Sequence, residues 1–113
     1  MTPTTRHIAV ITTTASADEA RRIAKSLVER RLAACAHVSE IESFYVWRGA
    51  LENEKEHRVV LKTTAEQYDA VESAIKEQHS YEVPAIYAVP LERMFAPYAA
   101  WLEDNSKGSE EAP

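Results

Sequence analysis

One short segment, residues 78–84 with the sequence QHSYEVP, collects side chains that could bind a ligand or a metal ion. His79 carries an imidazole, which suits copper, zinc or nickel. Tyr81 and Glu82 offer a phenol and a carboxylate, which can hydrogen-bond to a ligand or pair with a cation. The segment lies between a helix-like stretch and an apolar run, so the alternative is that it only joins a helix to a strand.

Other side chains that could bind a metal are scattered along the chain. They are Met1, His7, Cys35, His37, His57 and Met94. A two-residue hairpin turn would pair positions whose numbers sum to 97, which places His57 opposite Glu40 and His37 opposite Val60. The two histidines are therefore not partners within one chain. Cys35 with His37 supplies only two ligands, so a metal site needs several copies of the chain.

Cys35 is the one cysteine, which excludes an internal disulfide and a CxxC zinc site. As a nucleophile it would need an activating base and an orienting group. Ala33, Ala34 and Ala36 surround it, and a small apolar setting is typical of a thiol in a core. We therefore expect a protein that is not an enzyme, with a cysteine-dependent enzyme as the less favoured alternative.

The composition is that of one soluble globular domain, with 113 residues, 45% hydrophobic and 27% charged. The net charge of -5 argues against a general nucleic-acid binder, because such proteins carry a basic stripe. No segment approaches the ~20 apolar residues of a membrane span, and no secretory signal is visible. We expect a cytoplasmic protein without nucleic-acid or membrane partners.

Apolar periodicity and capping signals predict the elements that must position these side chains. A β-branched run at residues 7–14 predicts a buried strand. Capping boxes at residues 16–19 and 64–67 predict the starts of two amphipathic helices. The first helix should end near Leu32, with basic residues at its end, and the second near Gln78.

A long β-hairpin should separate the two helices. Its strands are predicted at residues 35–47 and 51–63, around a turn at Arg48-Gly49. The apolar phase slips near residues 39–40, which predicts a β-bulge. The outer end of the second strand is very polar, so the tip of the hairpin should project into water.

The order β-α-β-β-α-β is the ferredoxin-like split pattern of the α+β class. Residues 85–91 complete it as an edge strand bounded by prolines, and Pro97 begins a short C-terminal helix. We predict a single domain over residues 1–105 and a disordered tail over 106–113. Both long helices should cover one face of the sheet. Apolar surface on the other face then predicts an oligomer, because monomers rarely expose large apolar patches.

Five motifs, in order and at the expected spacing, resemble those of the CutA divalent-cation-tolerance family. They are Leu32-Ala33-Ala34-Cys35, Tyr45-Val46-Trp47-Arg48-Gly49, Leu61-Lys62-Thr63, His79-Ser80-Tyr81-Glu82-Val83-Pro84 and Tyr98-Ala99-Ala100-Trp101-Leu102. The resemblance implies a fold similar to that of the PII signalling proteins and a compact homotrimer whose hairpins pair between subunits. It also implies a role in tolerance of, or response to, copper and other divalent metals.

The chain departs from that family's pattern at four positions. Arg48 stands where the family commonly has Glu, and Ser80 stands where it usually has Pro. Thr12 and Gln78 occupy positions that carry a Cys and a His in members that bind copper. The copper site of those members therefore largely fails to carry over to this chain, and His79 is the one candidate metal residue that remains nearby, for copper or another divalent metal.

The leading interpretation is a trimer with ligand clefts between its subunits. Tyr81 and Glu82 lie where the chain re-enters the sheet, and Lys62 lies on the neighbouring strand. Tyr45 and Trp47 of another subunit would complete a cleft with aromatic walls and both signs of charge, as small-ligand sites often have. Two alternatives stay open: a structural Glu82–Lys62 ion pair, and a scaffold trimer that acts through a protein partner.

Overall fold

The computed structural model describes residues 6–108 and has one four-stranded sheet in the order β2-β3-β1-β4, with all neighbours antiparallel. The elements are β1 (His7–Thr14), α1 (Ala17–Glu29), β2 (Cys35–Trp47), β3 (Ala50–Thr64), a 3₁₀ turn (Ala65–Gln67), α2 (Tyr68–Gln78), β4 (Ile86–Pro90) and α3 (Ala96–Asp104). The α+β class and the ferredoxin-like order are confirmed. Within the described residues, no helix is long and apolar enough to cross a membrane.

One hydrophobic core lies between the sheet and the two longer helices. Successive side chains of a strand point to opposite faces, so alternate residues face the helices. Val10, Val59 and Leu61 of the sheet are fully buried in one cluster with Ile23 of α1 and Ile75 of α2. Each such burial stabilises the fold by about 1.5–3 kcal/mol. The core thus determines which side chains of the strands point to the opposite, open face.

Helix α1 begins as predicted at Ser16, whose Oγ accepts the N–H of Glu19 at 3.1 Å. The other half of the predicted capping box is wrong, because the Glu19 carboxylate bonds to Ser80 instead of returning to the helix start. The helix ends at Glu29, earlier than predicted, and Arg31 has a left-handed φ of 58°. The chain turns away there, so the basic residues follow the helix and do not lie in its last turn.

The second predicted capping box is wrong. Thr64 makes no side-chain capping bond, and a 3₁₀ turn separates it from the start of α2 at Tyr68. Thr64 is instead a buried residue of β3 that pairs with His7. Gln67, the last residue of the 3₁₀ turn, donates from Nε2 to the carbonyl oxygen of Ser106 at 3.0 Å. The 3₁₀ turn therefore contacts the segment that follows α3 as well as leading into α2.

Strands β2 and β3 form an unbroken ladder in which the numbers of every pair sum to 97. The predicted bulge near residues 39–40 is therefore wrong. Arg48 and Gly49 have φ values of 51° and 82°, the positive pair expected in a type I′ turn. The apolar phase slips because the strand leaves the core there: Val38 lies on the helix-facing side, whereas Ile41 lies on the other.

Strand β4 forms an edge of the sheet, as its prolines predicted, and is one residue shorter at each end than expected. Helix α3 packs on the open face at the inner end of β3, where the Tyr98 hydroxyl lies 3.5 Å from Lys62 Nζ. A 2.7 Å contact between His7 Nε2 and the Glu103 carboxylate joins the same helix to β1. The last helix therefore covers part of the open face, as the sequence predicted.

The predicted disordered tail does not begin at residue 106. Ser106 is buried, and the N–H of Gly108 donates to the carbonyl oxygen of Arg31 at 2.8 Å. Residues 109–113 of the predicted tail lie outside the described residues.

Candidate functional site

An open pocket of about 620 Å³ lies between the outer half of the hairpin and the loop that leads into β4. Its lining includes the rings of Tyr45, Trp47 and Tyr81 and the carboxylates of Glu56 and Glu82. A cavity of this size, with aromatic walls and a few polar groups, is typical of a small-ligand site. Four of the five residues predicted for a ligand cleft are therefore brought together, and Lys62 is not among them.

A single chain supplies all four of those residues, whereas the sequence prediction took Tyr45 and Trp47 from another subunit. The reason lies in the register of the sheet, since β4 pairs with β1 only as far as Thr12. The preceding loop therefore runs past the end of β1, beside the projecting half of β3. In that position it meets the open face of its own hairpin.

Lys62 lies far from this pocket, at the inner end of β3. It is separated from Glu56 by six residues of one strand, which is roughly 20 Å at ~3.3 Å per residue. Its Nζ is 5.5 Å from the ring centroid of Tyr98. The Glu82–Lys62 ion pair that the sequence left open does not form, because Glu82 pairs with Arg48.

Cys35 belongs to the cluster around Tyr98 and not to the core. Its Sγ lies 3.6 Å from the Tyr98 hydroxyl and the residue is half-buried. The prediction of a core thiol is wrong because neighbours on a strand alternate: Ala36 packs on the core and Cys35 faces α3. The contact with Cys35 raises the pKa of Tyr98, while the charge of Lys62 opposes that shift. Within residues 6–108, the thiol's hydrogen-bond partner is this phenol and not an imidazole base.

His79 ends α2 and is a buried structural residue, with a side chain only 1% exposed. Its Nε2 lies 2.8 Å from the carbonyl oxygen of Thr13, which can only accept, so this nitrogen carries the proton. Its Nδ1 accepts the N–H of Tyr81 at 3.1 Å. Both ring nitrogens are thus occupied, and no lone pair remains for a metal. The geometry does not support the role of metal ligand that the resemblance implied for His79.

Glu19 is the residue of this region that the sequence interpretation missed. Its Oε2 accepts the N–H of Ser80 at 2.7 Å and its Oε1 accepts the Ser80 hydroxyl at 3.0 Å. The carboxylate is almost completely buried in the first turn of α1, where the helix dipole favours a negative charge. The only sequence signal is an acidic residue three positions after Ser16, which predicts a capping box equally well.

Two tyrosines of the pocket donate to carboxylates on β3. The Tyr81 hydroxyl donates to the buried Glu56 at 2.5 Å, and burial together with this bond raises the pKa of Tyr81. The Tyr45 hydroxyl donates to Glu54 at 2.7 Å, and that bond raises the pKa of Tyr45 to about 12. Both phenols are therefore protonated at neutral pH, and they join the loop and β2 to β3.

Arg48, in the hairpin turn, pairs with Glu82 of the pocket lining. Its Nη2 lies 2.8 Å from a Glu82 carboxylate oxygen, and its Cζ lies 5.3 Å from the centroid of the Trp47 ring. The side chains of the ion pair are 71% and 70% exposed. Water screens such a pair, so it contributes only about 0–1 kcal/mol and can exchange readily.

The electrostatic balance of the pocket favours a positively charged ligand. Glu52, Glu54 and Glu56 lie on one face of β3, and Glu56 lines the pocket together with Glu82, which pairs with Arg48. Aromatic faces and carboxylates both attract cations. Within residues 6–108, no three His, Cys, Asp or Glu side chains cluster closely enough to hold a metal ion.

Comparisons with known proteins converge on one family. Residues 8–105 match the sequence model of the CutA1 divalent ion tolerance protein family. The chain is 38% identical over 99 residues to the divalent-cation tolerance protein CutA of Archaeoglobus fulgidus. The aligned region covers 88% of this chain and 97% of that protein. The solved structure of that organism's periplasmic divalent cation tolerance protein CutA superposes with a TM-score of 0.87 at 37% identity, covering 89% and 99% of the two chains. CutA from Synechococcus elongatus gives 0.87 at 32% identity, covering 94% and 95%.

Proposed function

Because the chain belongs to the CutA1 divalent ion tolerance family, we propose that it acts in divalent-cation tolerance by binding a small cationic ligand in the hairpin pocket. The observation that carries this proposal is the convergence of three aromatic rings and the Glu82 carboxylate on one pocket. Aromatic faces attract cations, and a carboxylate adds a charge-assisted bond. The role is one of binding and not of catalysis.

The class of cation follows from the donors that are present. A bare divalent ion takes six or more oxygen ligands or a compact set of nitrogen and sulfur ligands, and the described residues of one chain do not cluster in that way. An organic cation, or a metal ion that keeps its own ligand shell, fits an aromatic pocket better. Specific binding of copper stays a prediction from the resemblance.

We also propose that the protein works as a homotrimer. The apolar side chains of Phe44, Val46 and Leu51 on the outer hairpin are 66%, 68% and 75% exposed. Strands β2 and β4 are both edges of the sheet. Threefold assembly through the hairpins would cover this surface and pair the edges. A cytoplasmic location stays a prediction, since the Archaeoglobus fulgidus relative is named as periplasmic.

Thermal unfolding and calorimetric titration would test the binding proposal. The probes are Cu²⁺, Zn²⁺, tetramethylammonium and spermidine, because a ligand that binds only the folded state raises the melting temperature. Glu82→Gln should weaken the bound cation by about 1.5–3 kcal/mol. Glu92→Gln is the matched control, because Glu92 is exposed and lies outside the pocket lining. Unchanged melting with all four probes would contradict the proposal and favour a scaffold that acts through a protein partner.

Sedimentation equilibrium at micromolar concentration would test the assembly. We expect about three times the 12.7 kDa mass of one chain. Val46→Asp should reduce that mass, because it would place a charge on the exposed apolar surface of the hairpin outside the pocket lining. A monomer in the unsubstituted protein would contradict the trimer and leave the pocket of the single chain to be tested separately.

A further inference from the structure

We propose that Glu19 is a positioning residue that holds Ser80 so that Tyr81 and Glu82 face the pocket. The carboxylate is outside the pocket lining and lies on a different element, in the first turn of α1. Its role is to determine the geometry of one wall. This inference rests on the proposed function, because it assigns a ligand-binding purpose to the loop that the carboxylate holds.

Both carboxylate oxygens of Glu19 accept hydrogen bonds from one loop residue, Ser80. Oε2 accepts the backbone N–H of Ser80 and Oε1 accepts its hydroxyl, at 2.7 and 3.0 Å. A buried carboxylate is costly unless hydrogen bonds satisfy it. Here the satisfying donors come from a residue 61 positions away in the chain. The burial of this charge is therefore tied to one conformation of the loop.

The residues on either side of Ser80 are hydrogen-bonded to strands β1 and β3. The imidazole of His79 joins the carbonyl oxygen of Thr13 on β1 to the N–H of Tyr81. The hydroxyl of Tyr81 then donates to Glu56 on β3. Residues 79–81 thus contact α1, β1 and β3, and the ring of Tyr81 has a defined place in the pocket.

Glu82 is bonded less firmly than the three residues that precede it in the loop. Among residues 6–108, the polar contact of the Glu82 side chain is the exposed ion pair with Arg48. The wall of the pocket therefore has one part, residues 79–81, that is held by several hydrogen bonds, and an exposed part at Glu82 whose ion pair can exchange. A ligand that pairs with Glu82 therefore depends on residues 79–81, because they hold the loop that positions this carboxylate.

The test compares Glu19→Gln with Asp18→Asn. Both substitutions remove one negative charge from the first turn of α1, but the Asp18 side chain is 94% exposed and pairs with Arg21 at 3.5 Å. Asp18→Asn therefore controls for the loss of a charge in that turn, and the difference between the variants reports the buried contacts of Glu19 with Ser80 and with His79 Nδ1, which is 3.5 Å away. Gln has one accepting oxygen in place of two, so it can keep only one of the two bonds from Ser80.

Hydrogen exchange and NMR of the protein without ligand give the readout. Glu19→Gln should speed amide exchange at Ser80 and Tyr81 by about tenfold or more, and Asp18→Asn should leave it unchanged. The resonance of the Tyr81 hydroxyl, assigned by its loss in Tyr81→Phe, should shift in Glu19→Gln only. A residue that merely stabilised the fold would leave the Tyr81 signal of folded molecules in place.

Ser80→Ala keeps the result decisive if Glu19→Gln does not fold. It removes the hydroxyl contact but keeps the N–H, so it should give a smaller increase in exchange at Tyr81. Equal exchange rates and an unshifted Tyr81 signal in the Glu19 and Asp18 variants would overturn the inference. Failure of all four cation probes to bind would overturn the proposed function instead, since exchange and NMR need no ligand.

Discussion

The inner and outer halves of the long hairpin share one ladder but have different surroundings. In the inner half, Val59 and Leu61 are fully buried beneath the two longer helices, whereas Val46 and Leu51 of the outer half are largely exposed. The pairing of the strands is the same in both halves. The difference therefore comes from the helices, which cover only one half. Apolar side chains without cover in their own chain are the reason that we propose assembly through the outer half.

The same contrast holds for the polar side chains. Glu19 of α1 and Glu56, midway along the hairpin ladder, are buried and accept hydrogen bonds from the loop before β4. Glu82 of the pocket lining is exposed and forms a direct ion pair with the exposed Arg48. Stability should therefore depend on residues near the inner half, and ligand binding and assembly on residues of the outer half.

The largest effect should come from the core end of β3. Leu61→Ala should lower the free energy of unfolding by about 2–5 kcal/mol, because it opens a cavity among fully buried side chains. Leu51→Ala, the same truncation on the outer half, should instead weaken association. Urea unfolding and sedimentation equilibrium would separate the two effects. Equal losses of unfolding free energy with unchanged mass would break the comparison.

A smaller effect is expected where the loop meets β3. Tyr81→Phe should lower the free energy of unfolding by about 1–2 kcal/mol, because it leaves the buried Glu56 without its donor. Tyr45→Phe is the matched control, since its bond to Glu54 is exposed, and it should change stability by less than about 0.5 kcal/mol. A larger loss for Tyr45 than for Tyr81 would contradict the contrast.

The pH dependence of stability gives an independent check on Tyr81. Its pKa is raised above the ordinary 10.0 of a tyrosine, so the folded state keeps the proton longer than the unfolded state does. This contribution is fully present below pH 10 and is lost as the pH rises above it. Tyr81→Phe should therefore lose stability less steeply above pH 10. Chemical unfolding between pH 9 and about 11 would measure the two slopes, and equal slopes would contradict the assignment.

The smallest effect should come from the tip of the hairpin. Arg48→Gln should change the free energy of unfolding by less than about 1 kcal/mol, because both partners of its ion pair are exposed. It should also strengthen cation binding by about two- to fivefold, since it frees the Glu82 carboxylate. Glu82→Gln should instead weaken cation binding. Titration of both variants with the cation that binds best would decide, and weakening by both would show Arg48 to be part of the pocket wall.

The sequence by itself determined most of the fold. Apolar periodicity predicted the strands and helices, and Ser16 was predicted correctly as the cap of α1. The dipeptide Arg48-Gly49 predicted a two-residue turn, and with it the register of every pair in the hairpin. These features depend on backbone preferences and side-chain spacing within a few residues, which a single sequence contains in full.

Only the tertiary structure decided which polar groups meet. Glu19 bonds to Ser80 and not to its own helix start. Both ring nitrogens of His79 hydrogen-bond to the backbone, and Lys62 lies beside Tyr98. Each of these contacts joins residues far apart in the chain, apart from the bond that His79 accepts from Tyr81. A carboxylate, an imidazole or an ammonium can pair with many partners of similar strength. The packing of the helices and the loop on the sheet selects one of them, because a buried polar group is stable only where a partner is already in place.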